Sequence, residues 1–257
     1  MTGIERRKAI LQELKNNYSV KVTELSKLLF IGEATIRRDL EKLERAGHLK
    51  RVYGGAVRID AVDRETPADV RQADNSESKR NLCMIAASLI QDGNMLALDS
   101  STTVQFLGEF LPRFNNIVVL THGQKLIEQL QYTPVNLYCT GGFLQKTSLS
   151  YNGTFTRHFF HAFHSDIAFI SCRGISMQDG LSWSYEEDAN IRKVMLENTT
   201  KRVLLCDHTK FGKVSYCKLF GFEMINYLVT DQKPSQEWID FLQSKQITLL
   251  YPDSLAE

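Results

Sequence analysis

Two sets of residues in the 257-residue chain have types and spacing suited to anion chemistry. The first is Glu33, Thr35, Arg37 and Arg38, followed by Lys50, Arg51 and Arg58. An arginine fork can bond a guanine edge twice, a threonine hydroxyl reaches a base or a phosphate, and flanking cations hold phosphates. The second set starts at Asp99-Ser100-Ser101-Thr102-Thr103 and continues through Gly141-Gly142, Arg173, Glu187, Asp207 and Lys210. Hydroxyls and N–H groups at a helix start cradle an anion. The same residues also serve as plain helix caps. Paired glycines let backbone approach a ligand, or simply turn the chain. Lys210 can supply charge to a phosphate or a hydrogen bond to a sugar oxygen, although a lone loop lysine is ordinarily solvated. Asp99 and Asp207 suit sugar hydroxyls rather than phosphate, because like charges repel. Arg173 is read as a counter-charge for an acidic effector, a phosphate or a carboxylate; the competing reading is an external salt bridge.

Other chemistries find less support. His158, His161 and His164 are spaced three apart, so on a helix the direction drifts by about 60° per step. Phe159, Phe160 and Phe163 fill the positions between and read as core, and no carboxylate or cysteine completes a tetrahedral set. No metal site and no cofactor is expected. Cys83, Cys139, Cys172, Cys206 and Cys217 are scattered singly, which suits reduced buried thiols in a cytoplasmic protein. No apolar run is long enough for a transmembrane helix, and the polar N-terminus lacks the apolar stretch of a signal peptide. Hydrophobic content of 43% and charged content of 24% are those of a globular protein able to bury a core unaided.

The net charge of +1 hides a division. Residues 1–60 hold 13 Lys/Arg against 8 Asp/Glu, whereas 61–257 hold 18 against 22. A basic head on a mildly acidic body is a common layout for a nucleic-acid reader carrying a second domain.

The elements needed to position the first set are legible. A helix is expected from Ile4 to Asn16, with Ile10, Leu11 and Leu14 on one face. A short break at Tyr18 to Lys21 precedes a helix from Thr23 to Leu29, with Thr23 as N-cap and Leu25, Leu28 and Leu29 inward. Phe30-Ile31-Gly32 makes a tight turn. A third helix, Glu33 to Ala46, carries Ile36, Leu40 and Leu43 at i, i+4, i+7 and ends at Gly47. Leu49–Val52 and Ala56–Ile59 read as strands of a hairpin through Tyr53-Gly54-Gly55. This order is a winged helix-turn-helix over residues 1–60, with the third helix as recognition helix and Lys50, Arg51 and Arg58 on the wing.

Residues 61–78 are polar and read as a linker; 79–257 alternate helix and strand patterns. Helices are expected at Asn75–Gln91, with Leu82, Ile85, Ala86 and Leu89 inward, and at Thr103–Leu111, Gln124–Gln131, Glu186–Thr199 and Gln236–Ser244. Continuous apolar runs at Met95–Leu98, Ile117–Leu120, Val135–Cys139, Ile167–Ile170, Val203–Cys206 and Tyr227–Thr230 suit strands buried on both faces. The body is therefore α/β with a mostly parallel sheet and a ligand site at the carboxyl ends of its strands.

The stretch from Ala34 to Val57, with Thr35-Ile36-Arg37-Arg38-Asp39-Leu40 and the Arg51-Val52-Tyr53-Gly54-Gly55-Ala56 wing, resembles the DNA-binding head of the DeoR-type bacterial repressors. Gly32 stands where that family commonly has a serine N-cap. The resemblance extends over nearly the whole chain through Asp99 to Thr103, Gly141-Gly142, Gly174-Ile175 and Asp207 to Gly212. It implies a body similar to ribose-phosphate isomerase and glucosamine-phosphate deaminase folds, acting as a sensor of a phosphorylated sugar. It also makes the Asp99–Thr103 loop an effector site rather than a mere cap. Ser101 replaces a glycine usual in the family, which bears on how closely a phosphate approaches. Arg173 stands where a small or acidic residue is more usual.

The leading expectation is a transcriptional repressor of a sugar-metabolism operon, with operator DNA, a phosphorylated sugar and further copies of itself as partners. The alternative is an isomerase- or deaminase-type enzyme, in which Glu187 transfers protons and Lys210 anchors a phosphate.

Overall fold

In a computed structural model the described residues are 2–16, 19–52, 55–58 and 68–255. The chain divides into two compact units, Met1–Pro67 and Ala68–Glu257.

The first unit runs α1 (Gly3–Asn16), β1 (Ser19–Lys21), α2 (Val22–Leu29), α3 (Glu33–Arg45), β2 (Leu49–Val52) and β3 (Gly55–Arg58). Ile10, Leu14, Val20, Leu25, Ile36, Leu40, Leu43, Leu49 and Ala56 form one buried cluster. The strands make a sheet in the order β1-β3-β2, both pairings antiparallel. Gly55 pairs with Lys21 across this sheet, and a Cβ there would lie 2.1 Å from the Val20 carbonyl oxygen. Only glycine permits β3 to come so close. The turn residues 53–54 and the stretch 59–67, which covers the first part of the expected linker, lie outside the described residues.

Two expectations for α2 are corrected. The helix starts at Val22, with extended Lys21 at the N-cap position and no side-chain cap, so Thr23 lies inside the first turn. The buried Val22 pulls the helix start earlier than the threonine suggests. The inward face is Val22, Leu25 and Leu29, a three- and four-residue rhythm that leaves Leu28 55% exposed. The turn after α2 has Phe30 in the left-handed region, and the Ser26 hydroxyl closes it by donating to the Ile31 carbonyl at 2.7 Å.

The second unit begins with α4 (Ala68–Ala73) and α5 (Ser76–Ala86). The segment 68–78, assigned from sequence to the linker, is thus largely helical and belongs to this unit. There follow β4 (Met95–Leu98), α6 (Thr102–Leu107), β5 (Val118–Thr121), α7 (Gln124–Leu130), β6 (Asn136–Cys139), β7 (Phe143–Gln145), β8 (Ser150–Asn152) and α8 (Thr154–Ala162). The chain continues through β9 (Ser165–Ser171), β10 (Gly174–Ser176), β11 (Gly180–Ser182), α9 (Glu186–Glu197), β12 (Thr199–Leu205), β13 (Tyr227–Val229), α10 (Gln236–Ser244) and β14 (Thr248–Leu250). The helix expected over Thr103–Leu111 stops at Leu107, and a 3-10 turn at Leu111–Arg113, with Pro112 at its start, follows.

Seven strands form a parallel sheet in the order β14-β13-β12-β9-β4-β5-β6. Alternate strand residues feed two cores. Leu96, Leu98, Val119, Phe169, Val203 and Leu205 pack with α5, α6 and α7. Ala97, Leu120, Ala168, Ile170 and Leu204 pack with α8, α9 and α10. This is a three-layer α/β/α unit, and burial on both faces explains the unbroken apolar runs. After β4 the chain winds outward through β5 and β6; after β9 it winds the other way. The switch point therefore lies between β4 and β9, where such sheets open a crevice at their carboxyl ends.

Candidate functional site

In the first unit, α3 begins at Glu33 after Gly32, which caps without a side chain. Its buried face is fixed by Ile36, Leu40, Leu43 and Asp39. Asp39 is held by Arg6 and, at 3.4 Å, by Arg7 of α1, so this motif acid ties two helices together. The opposite side presents Arg37 and Arg38 to solvent, with Thr35 half-buried. Arg37 pairs with Glu33 at 3.1 Å across one helical turn, both about half exposed, which pre-orients the guanidinium at small energetic value. Arg51 is exposed on β2, and its N–H donates to Glu44 at 2.7 Å, joining wing to helix. Lys50 and Arg58 lie on β2 and β3, and their side chains lie outside the described residues.

In the second unit, a cleft of about 180 Å³ opens at the carboxyl ends of β4, β9 and β12. It brings together Ser101, Thr102, Thr103, Arg173, Asp207 and Lys210 from the sequence expectations. The Lys210 ammonium donates to Ser171 Oγ at 2.8 Å and Thr103 Oγ1 at 3.2 Å, and lies 3.4 Å from Asp207 Oδ2. Lys79 of α5 is buried, donates to the Arg71 carbonyl, and reaches Thr102 Oγ1 at 3.4 Å. Burial, reinforced by the charge of Lys210, lowers the Lys79 pKa to about 8. Two ammonium groups thus converge on consecutive threonines at the start of α6.

Asp207 is buried beside them. Burial opposes its charged form, but Lys210, the Thr209 N–H and hydroxyl, and Lys79 together hold its pKa below the usual carboxylate range. Its Oδ1 accepts from the Thr209 N–H at 3.1 Å, while its Oδ2 accepts no hydrogen bond among the described residues. A buried acceptor without a donor fits a ligand hydroxyl.

Asp99 has a different place. It lies beneath the cleft, fully buried, and its oxygens accept from Ser101 N at 2.8 Å, Ser171 N at 2.9 Å and Arg192 Nε at 2.6 Å. Burial opposes ionisation, but Arg192 and these donors outweigh it and lower the pKa. Asp99 therefore ties the 99–103 and 171–173 loops together rather than facing the cleft. Ser101 is the N-cap of α6, accepting from Val104 N at 3.1 Å, so the capping reading holds for this residue. Ser100 lines a narrower recess beside the loop, with Gly123 and Gln105.

The remaining expected residues are not brought to the cleft. Gly141 and Gly142 make the turn between β6 and β7 with φ of 60° and 111°, where other residues are strained. Glu187, in the first turn of α9, accepts from Gly153 N at 3.1 Å and from Arg157, and lines a separate depression with Phe143 and Tyr185. The Glu187–Lys210 pairing of the enzyme alternative is thus not assembled. His161 faces Asn198 and His164 contacts Thr200 at 3.0 Å, each with its own partner. Arg173, by contrast, lines the cleft, and it donates to Ser184 Oγ at 3.1 Å.

Sequence reasoning missed Lys79, Ser171, Thr209 and Arg192. The signal for Lys79 was available: it precedes Leu82 by three and Cys83 by four, which places a lysine on the apolar face of α5.

The chain matches the family model of the DeoR-like helix-turn-helix domain over residues 6–62 and that of the DeoR C terminal sensor domain over 74–232. It is 32% identical to the HTH-type transcriptional regulator GolR of Listeria innocua, over 91% of this chain and 92% of that one. It is also 32% identical to the HTH-type transcriptional repressor GlcR of Bacillus subtilis, over 96% and 95%. A solved ribose 5-phosphate isomerase A from Methanocaldococcus jannaschii superposes with a TM-score of 0.41 and 14% identity over 54% of this chain and 55% of that one. The relatives are named as regulators of transcription rather than as enzymes. With its three-helix head, its hairpin and its parallel-sheet body, the chain belongs to the DeoR family of DNA-binding transcriptional regulators.

Proposed function

We propose that this regulator represses a sugar-metabolism operon in the cytoplasm and releases its operator when a phosphorylated sugar enters the cleft between β4, β9 and β12. One observation carries the ligand class. Two ammonium groups, Lys79 and Lys210, converge on Thr102 and Thr103 beside the buried carboxylate of Asp207, whose Oδ2 lies 3.4 Å from Lys210 and accepts no hydrogen bond among the described residues. The cations suit a phosphate, and the carboxylate suits the hydroxyl of a sugar. GlcR, named as a repressor, supports the direction of control. Thr35, Arg37 and Arg38 are the proposed base-reading residues, with Arg51, Lys50 and Arg58 on phosphates.

Helix-turn-helix heads read paired half-sites, so the acting species is a homo-oligomer. The effector must bind the released form more tightly than the DNA-bound form, and DNA must weaken effector binding by the same factor. The test is a thermal-shift panel of pentose and hexose phosphates, each with its unphosphorylated sugar, followed by operator binding with the best stabiliser. A sugar phosphate is expected to raise the Tm and weaken operator binding, with the free sugar inert. Stabilisation by free sugars alone, or operator binding indifferent to every stabilising phosphate, rejects the proposal.

A further inference from the structure

Cys172 and Cys206 have no part in the scheme above, yet the fold places them together. β9 and β12 are parallel neighbours, and their ladder ends with Ser171 opposite Leu205. Cys172 and Cys206 are the residues that immediately follow these two strand ends. Both belong to the same buried core cluster. Cys172 also lines the cleft, whereas Cys206 is wholly buried behind it. The pair is thus asymmetric: of the two, Cys172 borders the cleft and Cys206 does not.

We propose that Cys172 and Cys206 form an oxidisable dithiol at the floor of the cleft, closed to a disulfide by hydrogen peroxide. The local charges assign the roles. The Cys206 thiol and the nearby Lys210 favour the Cys172 thiolate against its burial, and the Cys172 pKa falls. Burial and the neighbouring Cys172 sulfur push Cys206 up, so it keeps its proton. In the first step the Cys172 thiolate attacks a peroxide oxygen. The S–O bond forms, the O–O bond breaks, and the departing hydroxide takes the proton released by Cys172 to become water. In the second step Cys206 sulfur attacks the Cys172 sulfenic acid. The S–S bond forms, the S–O bond breaks, and hydroxide leaves with the Cys206 proton as a second water. Two thiols are oxidised by two electrons and one peroxide is reduced to two waters. The residues that precede them, Ser171 and Leu205, are ladder partners, which brings the two backbones close at the short separation that a disulfide needs.

The bond would pin the 171–173 segment to the 206–210 segment, and these carry Ser171, Arg173, Asp207 and Lys210 around the cleft. Its effect on ligand response rests on the effector reading above; formation of the bond does not.

The test uses the full chain, reduced, freed of reductant and exposed to graded hydrogen peroxide. Remaining thiols are alkylated after unfolding and mapped by mass spectrometry. The expected product is a Cys172–Cys206 cross-link reversed by dithiothreitol, formed about tenfold faster than loss of the buried Cys83, whose thiol burial holds protonated. In Cys206→Ser, dimedone is expected to trap a sulfenic acid at Cys172. Recovery of both residues as alkylated thiols at a dose that consumes the exposed Cys139 overturns the proposal. A parallel arm adds inorganic phosphate. Protection of Cys172 is expected if the cleft holds phosphate; a cross-link formed at an unchanged rate counts against the phosphate reading and leaves the dithiol standing.

Discussion

Two buried aspartates lie on either side of the same loops, and their surroundings differ in kind. Asp99 is closed: two backbone N–H groups and the buried Arg192 fill its oxygens. Asp207 is open: one oxygen accepts no hydrogen bond among the described residues, and its cations reach into a cleft. A satisfied buried pair holds a shape, whereas an unsatisfied one is costly unless something else completes it. The floor of the cleft is therefore read as structural and its wall as binding, although Asp99 and Asp207 look alike in sequence.

The largest effect is expected at the floor. Asp99→Ala removes one carboxylate from buried Arg192 and the acceptor of the Ser101 and Ser171 N–H groups, and should cost about 3–5 kcal/mol. Chemical denaturation of the wild type and variant measures this, and a loss under about 1 kcal/mol would break the comparison. At the wall, Lys210→Met should weaken binding of the effector by about 1.5–3 kcal/mol, the value of a charged hydrogen bond, and should also lower stability because buried Asp207 loses its main counter-charge. Calorimetric titration with the sugar phosphate found in the panel reads this, and an unaltered affinity would return Lys210 to a structural role.

Lys79→Met should separate the two roles within one residue. The folded-state pKa of about 8 lies below the ordinary 10.5, so the buried ammonium destabilises the fold below pH 8. That penalty fades as pH rises from 8 toward 10.5, where the folded protein has shed a proton that the unfolded chain still holds. The variant should accordingly gain Tm, by about 2–4 °C per kcal/mol relieved, with the gain largest below pH 8. Phosphate-ester affinity of the wild type should fall as pH rises through about 8, and the variant should lose that dependence. A wild-type affinity flat across pH 7–9 would exclude Lys79 from the binding wall. The smallest effect belongs to Glu187→Gln. It should leave effector affinity unaltered, because Glu187 lines a different depression; a tenfold change would reopen the enzyme reading.

What was legible in sequence follows from periodicity. The three helices and the wing of the head could be read because each element buries one repeating face, as Ile36, Leu40 and Leu43 do. The central strands were legible because burial on both faces leaves unbroken apolar runs. The edge strand β14 and the hairpins β7–β8 and β10–β11 are short and only partly apolar, and no run announces them. The site was half legible. Loops that follow strands can be aligned along one sheet edge from order alone, which brought Thr102, Arg173 and Lys210 into view. Asp99 was misread because its partner Arg192 lies 93 residues away on a helix, and pairing at that range has no local signal. Lys79 was overlooked because a single lysine on an apolar face is easily read as an exception to the pattern.

The ion pair of Asp39 with Arg6 and Arg7 changes what the basic head delivers to DNA. Two of the 13 cations in residues 1–60 are already matched to a buried acid, and others, such as Arg45 with Glu41, are matched on the surface. Cations so engaged displace few ions from a duplex. The steepness with which operator affinity falls as salt is added reports phosphates newly neutralised. It should follow the exposed arginines of α3 and the wing, and it should be shallower than the 13 cations of the segment suggest.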